Sequence, residues 1–221
     1  MSATNTTSPE PDSALQVGGK KQATRTRIID CAIPLFSEFG YDKITMESIA
    51  KAAGISRANI YLHFKAKAEL VAAMLEQLSP EVVASYRTLD SIDANDIGAL
   101  RRWVDNSSQL WVERHRQLET LEHALAVEPL VSARWYQTLS ESADAMTTFL
   151  ARYPEGPARG RARLAAITTM LSFERTLYFV LVRDAPAGLP EVIDVLTAQW
   201  HAVLGGDVVA AMPAPTPSPD L

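Results

Sequence analysis

Across residues 45–70 the apolar positions fall into two short helical registers separated by one glycine. Ile49 and Ala50 follow Thr45 at i+4 and i+5, and Ala53 follows at i+8. They form one narrow apolar side of small residues, which lets a second helix approach closely. Thr45 suits the N-cap, because its hydroxyl can accept from a first-turn N–H. Gly54 stands where that helix must stop, and glycine tolerates the left-handed conformation many C-caps use. Ile55 can plug the turn, and Ser56 is a second N-cap. Ile60 and Phe64 are spaced i, i+4 and turn inward together. Arg57, Ala58, Asn59 and Leu62 are left facing outward. The pattern predicts a short helix, a tight turn, a second short helix and the start of a long third: a helix-turn-helix.

The remaining chain keeps helical periodicity with short breaks and no strand-type alternation, so we expect an all-α protein of about nine helices. A first helix runs from Arg25 to Gly40, with Pro34 inside it bending it. Pro80 ends or kinks the fourth helix after Ser79. The turn Asp93-Ala94-Asn95-Asp96 caps a helix reaching about Arg114. Pro129, residues 153–157 and residues 185–188 mark further breaks, and Gly205-Gly206 closes the last helix. The domains expected are a disordered tail over 1–19, a reader over 20–67, a larger helical body over 68–205 and a disordered Pro-rich tail over 206–221.

The outward residues of the second short helix suit a major groove. Arg favours guanine and Asn favours adenine, while Ala58 and Leu62 can touch thymine methyls. Tyr61, His63 and Lys67 would meet phosphates, which position a reader without specifying sequence. With the capping positions Thr45 and Ser56, these form the candidate DNA-binding set. The plainer alternative is a pair of packed helices with a solvated polar face. Lys20-Lys21 and Arg25-Arg27 are either a basic arm or a solvated helix start. Net charge is −5, but residues 20–67 carry nine Lys/Arg against four Asp/Glu. A basic reader on an acidic body can still meet phosphates, because the field is local at physiological salt.

These residues resemble the DNA-binding domain of TetR-family transcriptional regulators. The likeness rests on Thr45, Ile49-Ala50, Ala53-Gly54-Ile55-Ser56, Ile60-Tyr61, His63-Phe64, Lys67 and Glu69-Leu70. Leu35-Phe36 and Phe39-Gly40-Tyr41 upstream also fit. Ala66 departs from the small polar cap usual there. The resemblance implies a helical ligand-binding and dimerisation domain, with the last two long helices pairing with their twins. Leu177, Leu181, Val192, Val195 and Val203 are then expected at a homodimer interface, with intrachain core as the alternative for each.

All four tryptophans lie outside the reader. Trp103, Trp111, Trp135 and Trp200, with Leu110, Leu139, Met146, Met170 and Phe173, could line an apolar ligand cavity, or be plain core. The run Phe173-Glu174-Arg175-Thr176-Leu177, with Trp200 and Trp103, is similar to the mycobacterial ethionamide-resistance repressor subgroup. Glu174 and Arg175 are read as a helix ion pair, or less simply as ligand contacts. His115, Glu119, Glu122 and His123 share a helix face, but no second Glu/His helix supports a metal site. No phosphate loop or nucleophile motif is present. Cys31 is single, so no intrachain disulfide forms. No apolar run of membrane-spanning length is expected, and a cytoplasmic location follows by default. The reading is a dimeric repressor that binds a pseudo-palindromic double-stranded operator and releases it to a small apolar effector, without a cofactor. An activator of the same fold, or an all-helical binding protein or enzyme, are the alternatives.

Overall fold

The computed structural model describes residues 11–212, with the side chains of residues 11–18 and 115–117 outside that description. Among the described residues there are ten helices and no strand. They are α1 (Pro11–Phe39), α2 (Met46–Ala52), α3 (Arg57–His63), α4 (Lys67–Asp90), α5 (Ile97–Val127), α6 (Pro129–Ala145), α7 (Thr147–Leu150), α8 (Pro157–Leu181), α9 (Leu189–Gly205) and α10 (Asp207–Ala211).

Two apolar cores organise them. The reader's core joins Ile28, Ala32 and Phe36 of α1, Ile49 of α2, Ile60 and Phe64 near α3, and Leu70 and Leu75 of α4. Each large side chain buried this fully contributes about 1.5–3 kcal/mol. Ala124 of α5 and Val131 of α6 belong to the same core, so the reader is seated on the body. The second core packs α8 and α9 against α4, α5, α6 and α7. Buried Asp90, at the end of α4, accepts from the amides of Thr148 and Phe149 at 2.7 Å each, which starts α7.

Several boundaries differ from expectation. α4 runs through Pro80 without ending, because its length packs against α6 and holds the helix despite the missing N–H. α5 passes Arg114 with a local kink (φ −112°, ψ 17°) and ends at Val127, before Pro129. α1 begins at Pro11, inside the expected tail, and α10 lies inside the other. Gly206 in the left-handed region turns the chain, and Val209 buries against the body, which is why α10 forms. Residues 1–10 and 213–221 of those tails lie outside the described residues. α8 is also long and apolar enough to cross a membrane by length and composition, contrary to the expectation. Its apolarity has a nearer cause: Ala166, Met170, Phe173 and Leu177 are buried in the body core.

Candidate functional site

The reader is built by its caps. The Ser48 amide donates to Thr45 Oγ1 at 3.2 Å, and the Thr45 amide donates to Ser48 Oγ at 3.1 Å, closing a capping box on α2. Gly54 sits at φ +65°, where a side chain would be strained. Ser56 Oγ accepts from the Asn59 amide at 3.2 Å and starts α3. Ile60 and Phe64 are buried, which fixes the rotation of α3 and turns Arg57, Ala58, Tyr61 and Leu62 to solvent. Leu62 is 76% exposed on this face. Asn59 is half-buried at the edge of the same face.

Not every basic group of the reader is free. Arg57 pairs with Glu47 at 2.8 Å, and the Tyr61 hydroxyl reaches the same carboxylate at 3.5 Å. Arg25 donates to the His63 carbonyl at 2.6 Å and lies 4.2 Å from the Phe64 ring centre. It is therefore a brace between α1 and α3, while Lys20, Lys21 and Arg27 stay exposed. Burial, then the charges of Arg25 and Lys21, push the His63 imidazole below its ordinary pKa. Lys67 donates to the Tyr41 carbonyl at 2.7 Å and covers the Tyr41 ring at 4.3 Å. That position differs from a free phosphate contact. Ala66 makes no cap bond, and Glu69 instead accepts from the Lys65 amide at 2.8 Å.

The body holds a cavity of about 330 Å³ between α4, α5, α6 and α8. One face of α5 lines it through Trp103, Asn106, Ser107, Leu110, Trp111 and Arg114, at helical spacing. Trp135 of α6 and Phe173 of α8 complete the part expected from sequence. Leu139, Met146, Met170 and Trp200 do not line it. Each is fully buried in the body core, and Trp200 packs on Tyr86 and Trp103 behind the cavity wall. Tyr86 and Val82 of α4 line it instead. A second cavity of about 260 Å³ lies between α1, α4 and α5 and shares Leu78, Glu81, Arg114, Leu118 and Leu121 with the first.

Three carboxyl groups line the first cavity. Glu81 pairs with Arg114 at 3.6 Å, and Glu122 with Arg175 at 3.0 Å. Glu174 does not pair with Arg175, its neighbour in sequence. It lies 8% exposed, and its Oε2 accepts from the Trp135 indole N–H at 2.9 Å. Burial pushes its carboxyl up to about 8, the Glu122 charge adds to this, and the Trp135 bond and Arg175 oppose it. Glu122 is likewise raised by burial and lowered by Arg175. The spacing of Ser107 and Arg114 with Trp103 and Trp111 was available in the sequence as a marker of this face. Tyr86 and the pairing of Glu174 required the tertiary structure.

Among the expected interface residues, Leu177, Val192 and Val203 are buried within the single chain, packed where α8 and α9 meet the body. Leu181 is half-buried, and Val195 is 57% exposed. The exposed stripe of α8 is instead Leu164, Thr168, Leu171, Arg175 and Phe179. Among the described residues, no group of three or more His, Cys, Asp and Glu is placed to hold a metal ion. His115 lies outside the described side chains.

Residues 28–74 match the family model for "Bacterial regulatory proteins, tetR family". The HTH-type transcriptional regulator TtgR of Pseudomonas putida is 37% identical over 106 residues, covering 46% of this chain and 50% of that protein. AcrR of Shigella flexneri is 46% identical over 55 residues, covering 25% of this chain and 26% of that protein. The chain thus spans about half or less of the length of these curated relatives. A solved TetR-family transcriptional regulator from Mesorhizobium loti aligns over 84% of this chain and 96% of its own, with TM-score 0.60 and 19% identity. One from Streptomyces coelicolor aligns over 86% and 83%, with TM-score 0.61 and 22% identity. The helix-turn-helix segment matches the model of that family, and the fold of most of the chain is similar to that of these solved regulators.

Proposed function

We propose that this TetR-like chain is a dimeric, effector-responsive DNA-binding transcriptional regulator, most simply a repressor that leaves its operator when a small, largely apolar molecule fills the body cavity. The observation that carries the reading is the exposed α3 face of Arg57, Ala58 and Leu62, with half-buried Asn59 at its edge, on a helix whose core continues into α5 and α6 of the cavity-bearing body. One α3 reads few bases, so a two-fold dimer on a pseudo-palindromic operator supplies the second half-site. The exposed stripe of α8 with Val195 of α9 is the surface for that pairing. Regulators are also what the matched relatives are named, and an enzymatic role has no such support.

Effector action needs a differential affinity for two states of the protein. The cavity touches α4 and α5, both of which also contact the reader, so filling it biases the spacing of the two α3 helices. The finer likeness to the ethionamide-resistance repressor subgroup belongs to this proposal. Trp103 and Phe173 on the cavity wall support it, while Trp200 stands behind the wall. Activation from the same site remains the second reading, since the sign of regulation depends on operator position.

The test is a mobility shift of the purified protein on the intergenic DNA flanking its own gene, at two salt concentrations with competitor. A salt-sensitive shift that survives competitor is expected. Failure there, followed by failure of a random-sequence selection to enrich any site, would end the DNA-binding reading.

A further inference from the structure

The lining of the cavity is unbalanced in a way that names a ligand chemistry. Three carboxyl groups reach it, and two of them have guanidinium partners: Glu81 with Arg114, and Glu122 with Arg175. Arg175 is committed twice, since it also lies 5.2 Å from the Tyr178 ring centre. Glu174 is the odd carboxyl. Its side chain accepts from a neutral donor, the Trp135 indole, and among the described residues no cation lies within salt-bridge distance of it. The groups facing it are Tyr86 from α4, Glu122 from α5, Trp135 from α6 and its own neighbour Arg175 on α8. The rings of Trp103, Trp111, Trp135 and Phe173 line the same cavity.

Taking the cavity as the effector chamber proposed above, we infer that its preferred ligand is an apolar molecule bearing one protonated amine, with the ammonium against Glu174 and the body among these rings. A buried carboxyl without a cation is held neutral, and a ligand ammonium lets it ionise. The aromatic faces add cation–π attraction for the same charge. A carboxylate ligand finds no free cation there, since Arg114 and Arg175 are already paired with Glu81 and Glu122, and it would keep Glu174 protonated; a neutral ligand gains only the apolar contacts. On binding, the Glu174 carboxyl proton passes to the buffer, because the amine already carries its own. Amine affinity therefore rises with pH until Glu174 ionises in the free protein, near pH 8.

The experiment titrates the full chain with phenylbutylamine, phenylbutanol and phenylbutanoate, read by tryptophan fluorescence and by calorimetry in two buffers of different ionisation enthalpy. The amine is expected to bind about 10- to 100-fold tighter than the alcohol, as a charge-assisted hydrogen bond implies, and to release close to one proton at pH 7. Glu174→Gln keeps an acceptor for the Trp135 indole. It is expected to erase both the preference and the proton release while leaving alcohol affinity within about twofold. Alcohol binding should be lost in Ser107→Trp, which fills the cavity. If the alcohol binds and the amine binds no tighter, or the preference survives Glu174→Gln, the amine inference is overturned and the chamber stands. If none of the three binds, or binding survives Ser107→Trp, the chamber reading falls and the inference with it.

Discussion

The Tyr41 hydroxyl donates to the Glu128 carboxylate across 2.7 Å, joining the α1–α2 turn of the reader to the α5–α6 junction of the body. Beside it, His123 lies 3.0 Å from Asp42. The tie acts on the end of α5 that follows Leu121 and Leu125 of the cavity wall. Movement of α5 therefore reaches the reader directly, in parallel with α4. Burial and the Glu128 carboxylate also hold the Tyr41 phenol well above its ordinary range, so the donor stays protonated. A double-mutant cycle of Tyr41→Phe and Glu128→Ala in urea should give a coupling of about 1–2 kcal/mol. Additive single effects would show that the bond is not formed in solution.

Glu47 of α2 pairs with Arg57 of α3 at 2.8 Å, and in the proposed complex its carboxylate would face the DNA. Arg57→Ala is expected to cost about 1–3 kcal/mol of operator binding and to relax specificity at one base position. Glu47→Gln should instead tighten binding to all sequences alike. Competition binding on operator and scrambled DNA separates the two, and a Glu47→Gln protein that binds more weakly would make the pair a required positioning contact.

Lys67 answers differently from the expectation the sequence suggests. Its ammonium is taken up by the Tyr41 carbonyl and ring. Lys67→Ala should therefore lower the melting temperature while leaving the salt slope of DNA binding unchanged. A phosphate contact would instead remove about 0.9 from that slope. A flatter slope with unchanged stability would restore the phosphate role.

The reader was legible in the sequence because its signals are local. Two side-chain caps, a glycine at φ +65° and the Ile60–Phe64 pair each act within a few residues. The cavity was half legible: α5 wrote its face at helical spacing, but which of Trp103 and Trp200 would stand forward depended on how α9 packs behind Tyr86. The interface residues Leu177, Val192 and Val203 misled for a related reason. Helices apolar over a wide arc hide which side is core, and these three lie on the side packed into the body. Of the two expectations at Pro80, an end is ruled out, because packing against α6 outweighed one missing bond.

Glu174 should tax stability as pH rises. Its folded value is raised to about 8, so between its ordinary value near 4.5 and 8 the unfolded chain ionises and the folded one does not. The unfolded state then binds fewer protons, and stability falls across that window. Glu174→Gln should match wild type near pH 4.5 and exceed it increasingly toward pH 8, by on the order of a few kcal/mol at most. Melting curves at four pH values suffice, and a difference that does not change with pH would mean Glu174 is already ionised in the folded protein.

The stripe on α8 makes the last prediction. Leu164, Thr168, Leu171, Arg175 and Phe179 fall at i, i+4, i+7, i+11 and i+15, all exposed, and Val195 is exposed on α9. Ser172 reaches Gln199 at 3.4 Å, so the two helices present one surface. In the proposed dimer these uncovered residues would face a second copy, and a two-fold pairing makes the patch self-complementary. Leu171→Asp with Val195→Asp sets like charges facing one another there. Sedimentation should then find monomer where wild type is dimer, with helical content intact and operator affinity down at least about tenfold, since one half-site must hold alone. Leu177→Asp is the contrasting variant: that side chain is wholly buried in its own chain, so the charge should unfold the body instead. A double variant that stays dimeric would place the interface on another face.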